Sequence, residues 1–236
     1  MIEALRGGLI VSVQAAAHSV LNVPETIATL ARCAEANGAV AVRIEGAERI
    51  AAVCKAVRVP VIGIVKVAVD GFEPYITPRV ADVRTVAAAG ARIIAFDATR
   101  RTRPDGSTVA QIIGEIEGLG CAAMADCADA EDGLAAARAG AHICATTLCG
   151  YTMGTRGTPL PALELVRALR EVARFTICEG GIGTPAAARE AFLAGADAVV
   201  VGTAITNVDA LVGSFVAATP RGADLSPVHR KAGCVD

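Results

Sequence analysis

The chain has 236 residues, 53% hydrophobic and 3% aromatic, with a mean hydropathy of +0.51 and no Trp, enough for one large core of aliphatic side chains. Its 22 Lys and Arg against 24 Asp and Glu leave a net charge of −2 and no basic stripe, which argues against a nucleic-acid partner. No apolar run reaches the roughly 20 residues that cross a bilayer, so no membrane association and a cytoplasmic location are expected.

Strand and helix patterns alternate along the chain. GLIVSV at 8–13 leads to a helical stretch over Pro24–Asn37, AVAVRI at 39–44 to one over Ala47–Val57, and VIGIV at 61–65 follows. After a loop through Tyr75 the pattern predicts a helix from Pro78 to Ala89, with Thr77 as its cap and Pro78 at the first helical position. RIIAF at 92–96 precedes a long polar loop and a helix over Thr108–Gly118, and CAAMA at 121–125 precedes a helix over Ala130–Ala139. Gly38, Gly90 and Gly140 stand where three of these helices stop, as left-handed terminators would. HICAT at 142–146, FTIC at 175–178 and DAVVV at 197–201 complete the strands, with helices over Ala162–Ala173, Pro185–Ala194 and Asp209–Ala217.

Near-continuous apolar strands alternating with helices predict a parallel sheet covered on both faces, and eight such units predict closure into a single (β/α)8 TIM barrel over residues 1–218. The tail, residues 219–236, shows little pattern and is expected to be disordered or to pack on a neighbour. The eight cysteines form no Cys-x-x-Cys and fit neither a disulfide framework nor a zinc site; they are expected to be small buried thiols in a reducing compartment. His18, His142 and His229 lack metal-ligand spacing, so no metal is expected. The fragment Gly181-Ile182-Gly183-Thr184-Pro185-Ala186 loosely fits a dinucleotide fingerprint. It follows the seventh strand instead of the first, and Asp197 begins the next strand instead of ending it, so no nicotinamide cofactor is expected.

Several of the apolar runs stop at a charged residue: Lys66, Asp97, Asp126 and Glu179. In a parallel barrel such residues line the catalytic mouth. Lys66 is the only lysine placed directly after a buried strand, where a desolvated amine serves as a base or a Schiff-base nucleophile. A carboxylate at Glu179 would favour its ammonium form instead, so the protonation state stays open. Arg43 and Gln14 lie at comparable strand ends and would contact a polar substrate, while Asp97 is read equally as a cap of the following loop. The glycine-rich turns Gly180-Gly181 and Gly202-Thr203, after the seventh and eighth strands, are positioned to receive a phosphate on their backbone N–H groups.

GGLIVSVQA at 7–15, GAVAVRIEG at 38–46, PVIGIVK at 60–66, YITP at 75–78, DATRRTRPDG at 97–106, MAD at 124–126, TTLCGYT at 146–152 and EGGIGTP at 179–185 together resemble the N-acetylmannosamine-6-phosphate 2-epimerase family. The resemblance runs from about Leu5 to Phe215. It implies interconversion of N-acetylmannosamine 6-phosphate and N-acetylglucosamine 6-phosphate, in sialic acid and amino-sugar catabolism, by loss and return of the carbon-2 proton without cofactor or metal. It further implies Lys66 as the catalytic lysine, Glu179 as its carboxylate partner, and Gln14, Arg43, Asp126 and Tyr151 as substrate contacts.

The chain departs from the family where a phosphate would be held: Gly181 and Asn207 stand where members usually carry basic residues, and Val67 follows the lysine where a basic residue is common. Backbone N–H groups, or Arg100, Arg101, Arg103 or Arg156 from loops, would then have to serve. Alternatives on the same residues are an epimerase for another anionic sugar, a Schiff-base lyase, and a non-catalytic sugar-phosphate binder. The expected partner is a small amino-sugar phosphate, and a homodimer is the expected assembly.

Overall fold

The apolar runs close on themselves. In the computed structural model, which describes residues 1–223, eight parallel strands form a closed barrel in which each strand pairs with the next and the last with the first. They are β1 (Leu9–Val13), β2 (Ala41–Glu45), β3 (Val61–Ile64), β4 (Ile93–Asp97), β5 (Ala122–Asp126), β6 (Ile143–Ala145), β7 (Thr176–Glu179) and β8 (Ala198–Val201). Around them lie α1 (Pro24–Ala36), α2 (Ala47–Ala56), α3 (Val80–Ala88), α4 (Val109–Gly118), α5 (Ala130–Arg138), α6 (Leu163–Arg170) and α7 (Pro185–Leu193). A one-turn helix α8 (Thr203–Thr206), then α9 (Val208–Ala217) and a final turn α10 (Pro220–Ala223), follow β8. Apart from that last turn, the expectation for the tail falls on residues 224–236, outside the described residues.

The two-residue period of a strand sorts its side chains between two cores. Ile10, Ala41, Ile62, Ile93, Met124, Ile143, Ile177 and Val200 fill the barrel interior, while Val11, Val42, Val61, Ile94 and Ala123 join the layer under the helices. One outward position has no room for a side chain. A Cβ on Gly63 would stand 2.5 Å from Val86 Cγ1 and 2.6 Å from Ala91 Cβ. Gly63→Ala is therefore expected to destabilise by about 1–3 kcal/mol through overpacking, read as a lower urea midpoint with an unchanged m-value.

Side-chain caps open α4, α5, α7 and α9. Thr108 Oγ1 accepts from Gln111 N at 3.2 Å, and Thr184 Oγ1 accepts from Ala187 N at 3.1 Å ahead of Pro185. Gly38, Gly90 and Gly140 adopt φ of 92°, 102° and 102°, as expected of terminators.

The start of α3 differs from expectation. Thr77 is buried at φ 43° and is no cap: its N–H donates to Val65 O at 2.8 Å and its Oγ1 accepts from Val65 N at 3.3 Å. These bonds to the end of β3 outcompete the cap and hold a β-branched residue in the left-handed region. The helix begins after Arg79, whose N–H donates to Asp82 Oδ2 at 3.0 Å.

Seven cysteines are free thiols, and five of them, Cys121, Cys127, Cys144, Cys149 and Cys178, are buried as expected. Cys33 is a correction: it sits on the outer face of α1 and is exposed. Cys234 lies outside the described residues.

Candidate active site

The parity that sends Ile10, Ala41, Ile62, Ala122 and Ile177 into the barrel also decides which side chains reach its carboxyl-terminal mouth. Counting by twos from the interior residues arrives at Gln14, Arg43, Lys66, Asp97, Asp126, Thr147, Glu179 and Gly202. Strand ends thus gather from distant sequence the groups predicted to do chemistry.

Arg43, Asp126 and Glu179 meet directly. Arg43 Nη2 donates to Asp126 Oδ2 at 2.7 Å, and Nη1 donates to Asp126 Oδ1 at 3.1 Å and to Glu179 Oε2 at 2.7 Å. Arg43 is 1% exposed and Asp126 0%, against 13% for the Glu179 side chain. A bidentate guanidinium between two carboxylates satisfies most of the buried charge. Burial opposes the charge on Arg43, but Asp126 and Glu179 more than offset it and hold its pKa above the ordinary value.

Glu179 is tuned in the other direction. Burial pushes its pKa up from 4.5 to about 7, with Asp126 adding to the shift, while Arg43, the Thr147 hydroxyl and the Lys66 ammonium pull it down. The folded carboxyl therefore holds its proton to higher pH than the unfolded one, so Glu179 subtracts stability as pH rises from about 4.5 to about 7. Glu179→Gln is expected to flatten that loss by up to about 3 kcal/mol, seen by comparing urea midpoints of the two proteins at pH 5 and pH 8.

Lys66 follows β3 by two residues in a short ribbon: it bridges Ile76 in antiparallel fashion, and Val67 N donates to Tyr75 O at 2.8 Å. The side chain is exposed, which corrects the expectation of a desolvated amine. Its charge acts on Glu179, whose pKa it pulls down. Gln14 Nε2 donates to Ser12 Oγ at 2.8 Å, on the β1 side of the mouth.

The glycine turns are adjacent to the same opening. Gly180 and Gly181 have φ of 102° and 70°, and the Tyr151 ring lies 3.6 Å from where a Cβ on Gly180 would stand. Gly202 backs onto Ser12, whose Cβ is 3.3 Å from the corresponding point, and Thr203 opens α8. Tyr151 is 43% exposed at the rim. Asp97 takes the capping role that was its alternative: one carboxylate oxygen accepts from Thr99 N at 2.9 Å and Thr99 Oγ1 at 2.6 Å, the other from Arg101 at 2.8 Å.

Two residues escaped selection from the sequence. Thr147 Oγ1 lies 2.7 Å from Asp126 Oδ1 and 3.1 Å from Glu179 Oε2, bridging the carboxylates. Tyr75 is half-buried beside Asp126, and burial followed by that carboxylate raises its phenol pKa. The strand-end rule would have found Thr147, since it follows β6 as Lys66 follows β3. Tyr75 depends on the ribbon and leaves no such signal.

The chain matches, over residues 27–221, a family described as "Putative N-acetylmannosamine-6-phosphate epimerase". Proteins bearing the corresponding 2-epimerase name include one from Synechococcus elongatus, 46% identical over 92% of this chain and 95% of its own, and one from Thermosynechococcus vestitus, 49% identical over 94% and 97%. The solved N-acetylmannosamine-6-phosphate 2-epimerase from Clostridium perfringens superposes with a TM-score of 0.88 at 34% identity, covering 91% of this chain and 94% of that one. A thiamine phosphate pyrophosphorylase from Pyrococcus furiosus, at 17% identity and a TM-score of 0.57, shares the fold alone.

Proposed function

The chain belongs to the N-acetylmannosamine-6-phosphate epimerase family and is a carbohydrate epimerase; from that premise we propose that it interconverts N-acetylmannosamine 6-phosphate and N-acetylglucosamine 6-phosphate, in the breakdown of sialic acid and amino sugars. The observation that carries the reading is the buried Arg43–Asp126–Glu179 cluster at the mouth of the barrel, with the charge of Lys66 acting on Glu179.

Inverting carbon 2 requires loss of its proton beside the carbon-1 carbonyl of the open-chain sugar, and return of a proton on the other face. Lys66 is the base. Glu179 takes a proton from the Lys66 ammonium, leaving a neutral amine and a neutral carboxyl; the amine then accepts the carbon-2 proton and the electron pair moves onto the carbonyl oxygen. A carboxyl raised to about 7 is a far better acceptor for that relay than an ordinary glutamate. Reprotonation by the Lys66 ammonium on the opposite face gives the epimer. Arg43 keeps Glu179 and Asp126 in place and holds positive potential under the developing enediolate. Gln14, Asp126 and Tyr151 contact the sugar, and the N–H groups of Gly180, Gly181, Gly202 and Thr203 receive the phosphate.

The test is incubation of the purified protein with either epimer. The same mixture should be reached from both sides by NMR, and borohydride should not trap an adduct on Lys66. Trapping would mean a Schiff-base lyase, and binding without turnover a sensor.

We also propose a homodimer. No residue of α9 is buried, and Val208, Val212, Phe215 and Val216 are 43%, 56%, 75% and 40% exposed. A helix this apolar that packs chiefly on its neighbours α8 and α10 suits a second copy of the same surface. Sedimentation velocity should give a dimer for the wild type and a monomer for Phe215→Glu.

A further inference from the structure

Resting on that reading of the substrate, we infer that Arg156 is the cation that holds its phosphate. The positions that would ordinarily supply one are closed. A Cβ on Gly181 would stand 2.3 Å from Leu160 Cβ and 3.2 Å from the Leu160 carbonyl carbon, at a φ of 70° that disfavours any side chain. Asn207 is turned into the start of α9, where its Oδ1 accepts from Ala210 N at 3.0 Å. Val67 carries no charge.

Four loop arginines stand at this end of the barrel as candidates, and three are already committed. Arg100 is paired with Asp129, Glu131 and Asp132. Arg101 is paired with Asp97 at 2.8 Å and Glu73 at 3.6 Å. Arg103 is 4% exposed and donates to the carbonyls of Asp97 and Thr99. Arg156 is exposed and has no hydrogen bond or ion pair among the described residues.

The loop between β6 and α6 meets the glycine turn on both sides of Arg156, through Tyr151 and Leu160. It is stitched to β7 at its start, where Thr146 Oγ1 donates to Glu179 O at 2.8 Å and accepts from Glu179 N at 3.0 Å. Further on, the Tyr151 ring lies against Gly180, and Leu160 lies against both Gly150 and Gly181. Between these two anchors a clasp fixes the chain: Gly150 N donates to Thr155 Oγ1 at 2.9 Å, and the hydroxyls of Thr152 and Thr155 are 2.7 Å apart. Arg156 directly follows the clasp. The residue that fills the space above Gly181 and the arginine that replaces its charge thus come from one segment, which exchanges a cation on the glycine turn for one on the loop leaning over it.

The test compares wild type, Arg156→Ala, Arg156→Lys and Arg138→Ala, the last an exposed arginine ending α5 at the opposite face. Steady-state kinetics on N-acetylmannosamine 6-phosphate are run beside titration of inorganic phosphate by 31P NMR. Arg156→Ala should raise KM and the phosphate Kd together by about 10- to 100-fold, the range expected for one charge-assisted contact, with kcat little changed. Arg156→Lys should recover part of the loss, and Arg138→Ala should match wild type. KM and Kd unchanged in Arg156→Ala, or an equal rise in Arg138→Ala, would overturn the inference while leaving the epimerase reading intact. Absence of turnover in the wild type would sink that reading instead, and the phosphate titration would still decide Arg156.

Discussion

Lys66→Ala is expected to lower kcat by about 10²–10⁴-fold, the range of a lost general base, while leaving the fold intact. The exposure of Lys66 makes the two effects separable: truncating an exposed side chain past a strand end changes stability by only about 0.5 kcal/mol. Lys66→Arg should be as inactive as the alanine variant, because a guanidinium keeps its charge but cannot give up its proton near neutral pH. The readouts are the initial rate of epimer formation and the urea midpoint of each variant. Activity retained in Lys66→Arg would show that the lysine contributes charge alone.

Arg43→Met is expected to cost about 3–5 kcal/mol of stability and to abolish measurable turnover. Its guanidinium lies between the Asp126 and Glu179 carboxylates with 1% of its side chain exposed, so removing it leaves two buried carboxyls facing one another. The cost depends on pH in a fixed direction. Arg43 pulls the pKa of Glu179 down, so without it that carboxyl rises above about 7 and the folded state binds more protons than the unfolded one across a wider range. Stability of the variant should therefore fall more steeply than that of the wild type as pH rises from 5 to 8. Arg43→Lys should rescue only part of it, since an ammonium cannot span both partners with planar, paired bonds. Urea midpoints at the two pH values check both statements.

Much of this arrangement can be read from the chain before any coordinates. Alternating apolar runs give the barrel, and the polar residues that end runs, at the parity of the buried interior positions, put Arg43, Asp126 and Glu179 at one mouth although they lie on the second, fifth and seventh strands. What cannot be read is set by contacts between loops. Lys66 shares that parity, yet it sits in the ribbon made with Tyr75–Thr77 and is exposed. Thr77 looks like a helix cap and instead holds the end of β3, because its partner Val65 is brought to it by that ribbon. α8 is too short to leave a periodic signature. Gly181 reads as a missing cation until Leu160, from a different loop, is found in the space a side chain would need.

Whether the carbon-2 proton leaves and returns at Lys66 is decided by proton NMR of N-acetylmannosamine 6-phosphate with the purified protein in heavy water. The gluco epimer should carry deuterium at carbon 2, with exchange absent in Lys66→Ala. Epimer formed with its original proton retained, or exchange that survives in Lys66→Ala, would contradict Lys66 as the base.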